Sequence, residues 1–135
     1  MCYCLHDIEK KQNIRFPEQY KRLYQSNFCV INGGCKLQIN EEIFNIIQFL
    51  SATEIIHALD EFYDFWGYDI VPIAEVEYGD YICLYYKECR SVPKIVYWNY
   101  ELALENSEEA ILHLFDNIDK FEMALRNLLC RNRWD

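Results

Sequence analysis

Apolar and polar positions change their spacing several times along this chain, and each change predicts an element. Leu5 and Ile8 fall on one face of a short leading helix over residues 5–12. Pro17 suits the first turn of a second helix, where its missing N–H costs nothing, and Tyr20, Leu23 and Tyr24 follow at helical spacing. Asn32-Gly33-Gly34 marks a stop, because Asn and Gly tolerate the positive φ of a sharp turn. Lys36-Leu37-Gln38-Ile39 alternates as a strand does. Residues 43–50 mix β-branched and aromatic side chains and read as a further strand. Ser51 or Thr53 then offers an N-cap to a helix carrying Ile55, Ile56, Leu59, Phe62, Phe65 and Trp66, which Gly67 ends.

The next stretch is β in character. Ile70–Ala74, Tyr81–Tyr86 and Ile95–Trp98 are short apolar or aromatic runs separated by Gly79-Asp80 and by residues 88–93, the pattern of an antiparallel meander. A closing helix is predicted to place Leu114, Phe115, Ile118, Phe121, Leu125 and Leu128 on one face, with Arg126, Arg131 and Arg133 near its C-terminal end. Helices and strands do not alternate regularly, so a doubly wound parallel sheet is disfavoured. The expectation is an α+β fold: a mainly antiparallel sheet, helices packed at its N- and C-terminal ends, and one inserted helix. Residues 1–135 read as a single domain, long enough to bury a core without disulfides or metals.

Charge narrows the choice of partner. The net charge is −9, and it is unevenly spread. Residues 1–36 balance at +3, residues 87–135 at −2, and residues 37–86 at −10, with ten carboxylates and no Lys or Arg. Such a middle repels phosphate, which argues against direct nucleic-acid binding, and it attracts a basic surface. No apolar run reaches the roughly 18–20 residues of a membrane span, and the N-terminus lacks the basic and apolar regions of a signal peptide. A cytosolic protein with seven reduced cysteines is expected, Cys83 serving as a small core residue.

Phe16-Pro17-x-x-Tyr20 leading to Asn32-Gly33-Gly34 is one motif. Pro72-Ile73-Ala74 before Gly79-Asp80-x-Ile82-Cys83-Leu84 is a second, and Pro93-x-Ile95-Val96-Tyr97-Trp98 a third. In this order and at these distances the chain resembles the SUKH superfamily, which joins bacterial immunity proteins with a eukaryotic regulator of cell-wall synthesis. Two positions depart from the pattern. Tyr78 stands where the family often has Gly or Asn, and Tyr85 where it often has Asp. The resemblance implies an immunity protein that binds and neutralises a cognate toxin domain, a basic nuclease, with no cofactor and no catalysis. A regulatory interaction module without a toxin is the alternative.

Enzyme signatures are sparse. His6, His57 and His113 are the histidines, and no nucleophile elbow, phosphate loop or His-Glu-x-x-His is present. Glu54-x-x-His57, with Glu61 one turn on, would put two metal ligands on one helix face, but the further glutamates of a di-metal site are not visible. Cys2-x-Cys4-x-His6 lacks a second ligand pair at zinc-finger spacing. Acids and aromatics, by contrast, crowd together in Asp60, Asp64, Trp66, Tyr68, Asp69, Glu75, Glu77, Tyr78 and Asp80. Tyr and Trp suit contact surfaces because each joins a flat apolar body to a polar tip. These nine residues are the expected partner-facing patch.

Overall fold

A computed structural model describes residues 3–25, 35–39, 41–106 and 108–132. Two helices lead, α1 (Leu5–Gln12) and α2 (Glu18–Gln25). A hairpin of β1 (Cys35–Ile39) and β2 (Glu42–Phe49) follows, then α3 (Ala52–Glu61) and the single turn α4 (Tyr63–Trp66). Next come β3 (Ile70–Val76), β4 (Tyr81–Tyr85), β5 (Lys94–Trp98), a short α5 (Tyr100–Leu104), β6 (Ile111–Phe115) and α6 (Ile118–Asn132). All six strands join one antiparallel sheet in chain order, an α+β architecture. Asn32-Gly33-Gly34 and the side chains beyond Leu125 lie outside the described residues.

The sheet is strongly curled. Phe44 on β2 and Tyr97 on β5 stand three strands apart, ~14 Å across a flat sheet. Their ring centroids lie 4.9 Å apart. Register shifts at Ile46/Gln48, Pro72/Ala74 and Ile95/Val96 supply the extra twist that bulged strands gain. Pro72 sits at one of them, in a central strand, where a residue without an N–H is otherwise excluded.

The core draws Ile8, Phe16 and Tyr20 from the leading helices, Ile73, Ile82, Leu84 and Ile95 from the sheet, and Phe121 and Leu125 from α6, all buried. Polar groups fix how the pieces meet. Glu9 accepts the Phe16 N–H at 2.8 Å, and the Tyr86 hydroxyl donates to the Arg15 carbonyl at 3.0 Å. Buried Gln12 donates to the Gly67 carbonyl at 2.9 Å. Arg90 donates to Asp69, to the Gln12 carbonyl and to the Tyr68 carbonyl, clipping the end of α1 to the loop before β3.

Two sequence expectations are corrected, and one element was missed. Leu114 and Phe115 belong to β6, not to the closing helix. Asn117 caps α6 by accepting the Lys120 N–H at 3.1 Å, so the chain reverses between strand and helix. The inserted helix is two helices, because Phe62 leaves helical geometry at φ −109° and ψ 23°. Its ring meets Phe65, Trp66, Tyr81, Trp98 and Tyr100, with centroids 4.9–6.5 Å away. Packing of that kind overrides local helix propensity. The short α5 was not predicted at all; Asn99 caps it by accepting the Leu102 N–H at 3.0 Å.

Trp98 is at the middle of this aromatic cluster, touching Phe62, Phe65, Trp66, Tyr81 and Tyr100. Trp98→Ala is expected to cost about 3–5 kcal/mol, measured by urea unfolding followed by far-UV circular dichroism.

Candidate functional site

Register and alternation decide which residues share a side of the sheet. Tyr81 pairs with Trp98 and Glu75 pairs with Tyr81, so these three point the same way, toward α3 and α4. The α3 helix begins at Ser51, whose hydroxyl accepts the Glu54 N–H while the Glu54 carboxylate accepts the Ser51 N–H at 3.0 Å. From that start, Glu54, His57 and Glu61 follow along one helix face and line a cavity of about 210 Å³ together with Gln48, Glu75 and Tyr81.

The cavity is electronegative. Burial, followed by the charges of Glu75, Glu61 and Glu54, pushes the Tyr81 hydroxyl up to about 12. Glu61 and Glu75 make no ion pair with a described residue. Among the described residues no three His, Cys, Asp or Glu side chains converge as metal ligands. Glu54 instead closes the end of its own helix. Cys4 leads into α1, donating its N–H to Asp7 at 2.8 Å, and Cys2 lies outside the described residues.

Beside the cavity the chain turns sharply through Glu77, Tyr78 and Gly79. Tyr78 holds φ 67° and Gly79 φ 81°. The left-handed region is costly for a bulky side chain, and Tyr78 is 84 % exposed, so no burial offsets that cost. Gly79 lies under the Tyr100 ring. Phe65, also exposed, packs one edge on Trp98. Exposed Tyr78 thus stands three residues along the chain from both Glu75 and Tyr81, and exposed Phe65 reaches Tyr81 only through Trp98.

The nine expected contact residues divide. Glu75 lines the cavity, and Glu77 and Tyr78 form the turn beside it. Tyr68 stacks edge to face on exposed Tyr63 at 5.9 Å, next to Asp64. Asp60 pairs with Lys11 at 2.9 Å and Asp69 with Arg90 at 2.8 Å, so both charges are partly compensated within the chain. No hydrogen bond, ion pair or ring contact among the described residues joins Tyr68 or Asp69 to Glu75, Glu77 or Tyr78.

Two of the nine are corrected outright. Trp66 is 2 % exposed, inside the aromatic cluster. Asp80 is 5 % exposed; one carboxylate oxygen accepts the Tyr97 hydroxyl and the other the Tyr100 N–H at 2.9 Å. Both side chains hold the fold rather than meet a partner. Sequence reasoning missed Gln48 and Tyr81 as lining residues of the cavity. Glu54, His57 and Glu61 at helical spacing signalled the acidic wall, but nothing signalled that β3 and β4 would bring Glu75 and Tyr81 to it.

A family model for the SMI1/KNR4 family (SUKH-1) matches residues 5–123 of the chain. The chain belongs to that family. No curated protein and no solved structure matches it. SUKH proteins act as immunity or regulatory proteins and are generally not enzymes. No helix among the described residues is long and apolar enough to cross a membrane. In this SUKH chain the family's turn before β4 carries the exposed, positive-φ Tyr78, and Tyr85 lies half-buried at the far end of that strand.

Tyr78→Gly is expected to raise stability by about 0.5–1 kcal/mol. Relief of a left-handed residue is worth roughly 1–2 kcal/mol, and the added chain entropy of glycine returns part of it. Thermal and urea unfolding measure the gain. Tyr81 yields a pH prediction. An ordinary tyrosine loses its proton near pH ~10, whereas Tyr81 keeps its own to about 12. Below the unfolded value both states hold the proton, and the contribution of Tyr81 is fully present. Between the two values only the folded chain holds it, so stability falls as pH rises through that window. Urea midpoints followed across it should fall less steeply for Tyr81→Phe than for the parent.

Proposed function

We propose that this chain is an immunity protein, which binds a cognate toxin domain in the cytosol and neutralises it without catalysis. The toxin is basic, with a nuclease's phosphate-binding groove as the natural source of its charge. The observation that carries this reading is the cavity of Glu54, Glu61 and Glu75 around Tyr81, with no Lys or Arg lining it and with exposed Tyr78 in the turn between the strands that bring Glu75 and Tyr81 to it. A Lys or Arg entering it would meet carboxylates in a partly desolvated setting, where charge-assisted hydrogen bonds are strong. An exposed tyrosine in the turn next to such a pocket is a typical anchor of an interface. Asp64 and Glu77 extend the negative field and speed encounter.

Any toxin-like domain encoded beside this chain is the partner to test. Asp64→Lys, Glu75→Lys and Glu77→Lys together should slow association at least tenfold at low salt, with the gap narrowing as salt rises. Tyr78→Ala should act on dissociation instead, shortening the complex's lifetime by tenfold or more. Stopped-flow mixing and surface plasmon resonance read the two rates. Affinity unchanged by all four substitutions would remove this surface from the reading. A chain that neither binds the neighbouring domain nor protects a host from it would instead be a regulatory interaction module.

A further inference from the structure

The opposite side of the sheet carries a second opening. Tyr97 pairs with Leu112, and both point away from the side of Tyr81 and Trp98. Because the sheet curls, Ile39, Glu41 and Glu42 come to face β6, and a groove remains between them. One part, of about 470 Å³, is lined by Ile39, Glu41, Glu42, Phe44 and residues 112–114 of β6. The next part, of about 620 Å³, shares Glu42 and Leu112 and continues past Tyr97 to Glu108. The floor is apolar: Phe44 on Tyr97, with Leu112 left 46 % exposed and Ile111 also in view. The rim is acidic. Glu41, Glu42 and Glu108 make no ion pair with a described residue, and no Lys or Arg lines either part.

Among the described residues β6 is the last strand of the sheet, paired on one side only. Every second N–H and C=O along residues 111–115 therefore turns toward the groove without a strand partner, an edge open to augmentation. A second copy of this chain is a poor occupant. A two-fold pairing of β6 with itself would set Glu42 and Glu108 of one copy near the same carboxylates of the other, which repel. A segment of opposite charge has no such penalty. In an extended chain alternate side chains face opposite ways, so one set would meet the apolar floor and the other the acidic rim. The field already acts on the groove wall: burial first, then Asp80, Glu77 and Glu42, hold the Tyr97 hydroxyl well above its ordinary range.

We propose that this groove receives an extended segment of a partner protein, with Lys or Arg alternating with apolar residues, which adds to β6 as a seventh strand. The site lies on the other side of the sheet from the acidic cavity and does not depend on that cavity's use.

An alternating arginine–valine octapeptide tests it, titrated into the full chain, with an alternating glutamate–valine octapeptide as control. The expected result is binding of the basic peptide alone, with slowed hydrogen exchange at amides within residues 111–115. Glu42→Lys with Glu108→Lys should weaken binding at least tenfold, as should Leu112→Ser, while Asp60→Lys with Asp64→Lys changes it less than twofold. Unfolding curves for each variant establish that the fold is kept. Equal weakening by both charge-reversed pairs would mean general attraction to an acidic protein and would overturn the proposal. So would binding without protection of β6, or no binding at millimolar peptide. None of these outcomes bears on the toxin reading, which is tested with a different ligand at a different surface.

Discussion

A buried carboxylate has to be fully hydrogen-bonded, because leaving it unpaired in the interior costs several kcal/mol. Asp80 meets that demand with two partners from different parts of the chain, the Tyr97 hydroxyl on β5 and the Tyr100 N–H that opens α5. Its own carbonyl accepts the Val76 N–H at 2.8 Å, closing the turn between β3 and β4. One residue thus ties together a turn, a strand end and a helix start. With that turn fixed, Tyr78 is carried outward in a left-handed conformation and Tyr81 inward toward α3.

The aromatic cluster is the apolar counterpart of this tie. Trp66 and Tyr100 come from α4 and α5, Tyr81 and Trp98 from β4 and β5, and Phe62 from the junction of α3 with α4. Their mutual edge-to-face contacts require the inserted helix to bend at Phe62, and the bend leaves Tyr63, Phe65 and Tyr68 at the surface. The composition explains the outcome. Twenty-two aromatic residues exceed what the core accepts, so some are displayed while their neighbours are buried.

Curling of the sheet divides the acidic charge of the central segment between two sides. Glu54, Glu61 and Glu75 gather on the side of α3 and α4, and Glu41 and Glu42 on the other, where Glu108 joins them from the last third of the chain. A flat sheet would have left Phe44 and Tyr97 apart and opened no groove between β2 and β6. Acidity that reads as one block along the chain therefore becomes two separate surfaces in space.

The leading helices, the two strands after them, a helix start at Ser51 or Thr53, the meander and the family were legible in the sequence. Each rests on a local rule: apolar spacing, turn chemistry, a side chain that closes a helix end. Leu114 and Phe115 were misplaced because their spacing to Ile118 and Phe121 fits a helix as well as a strand running into one, and Asn117 was the overlooked stop. The acidic and aromatic content of the central segment was also legible, since charge and ring content do not depend on the fold. Which of those residues face solvent was not. Trp66 and Asp80 lie in the same run as Asp64 and Tyr78, yet long-range partners, Trp98 for one and Tyr97 with Tyr100 for the other, draw them inward. Pairings across 17 to 20 residues of chain, as between Asp80 and those two tyrosines, are set by sheet register and curl. No local pattern carries that information, so only the tertiary structure decided it.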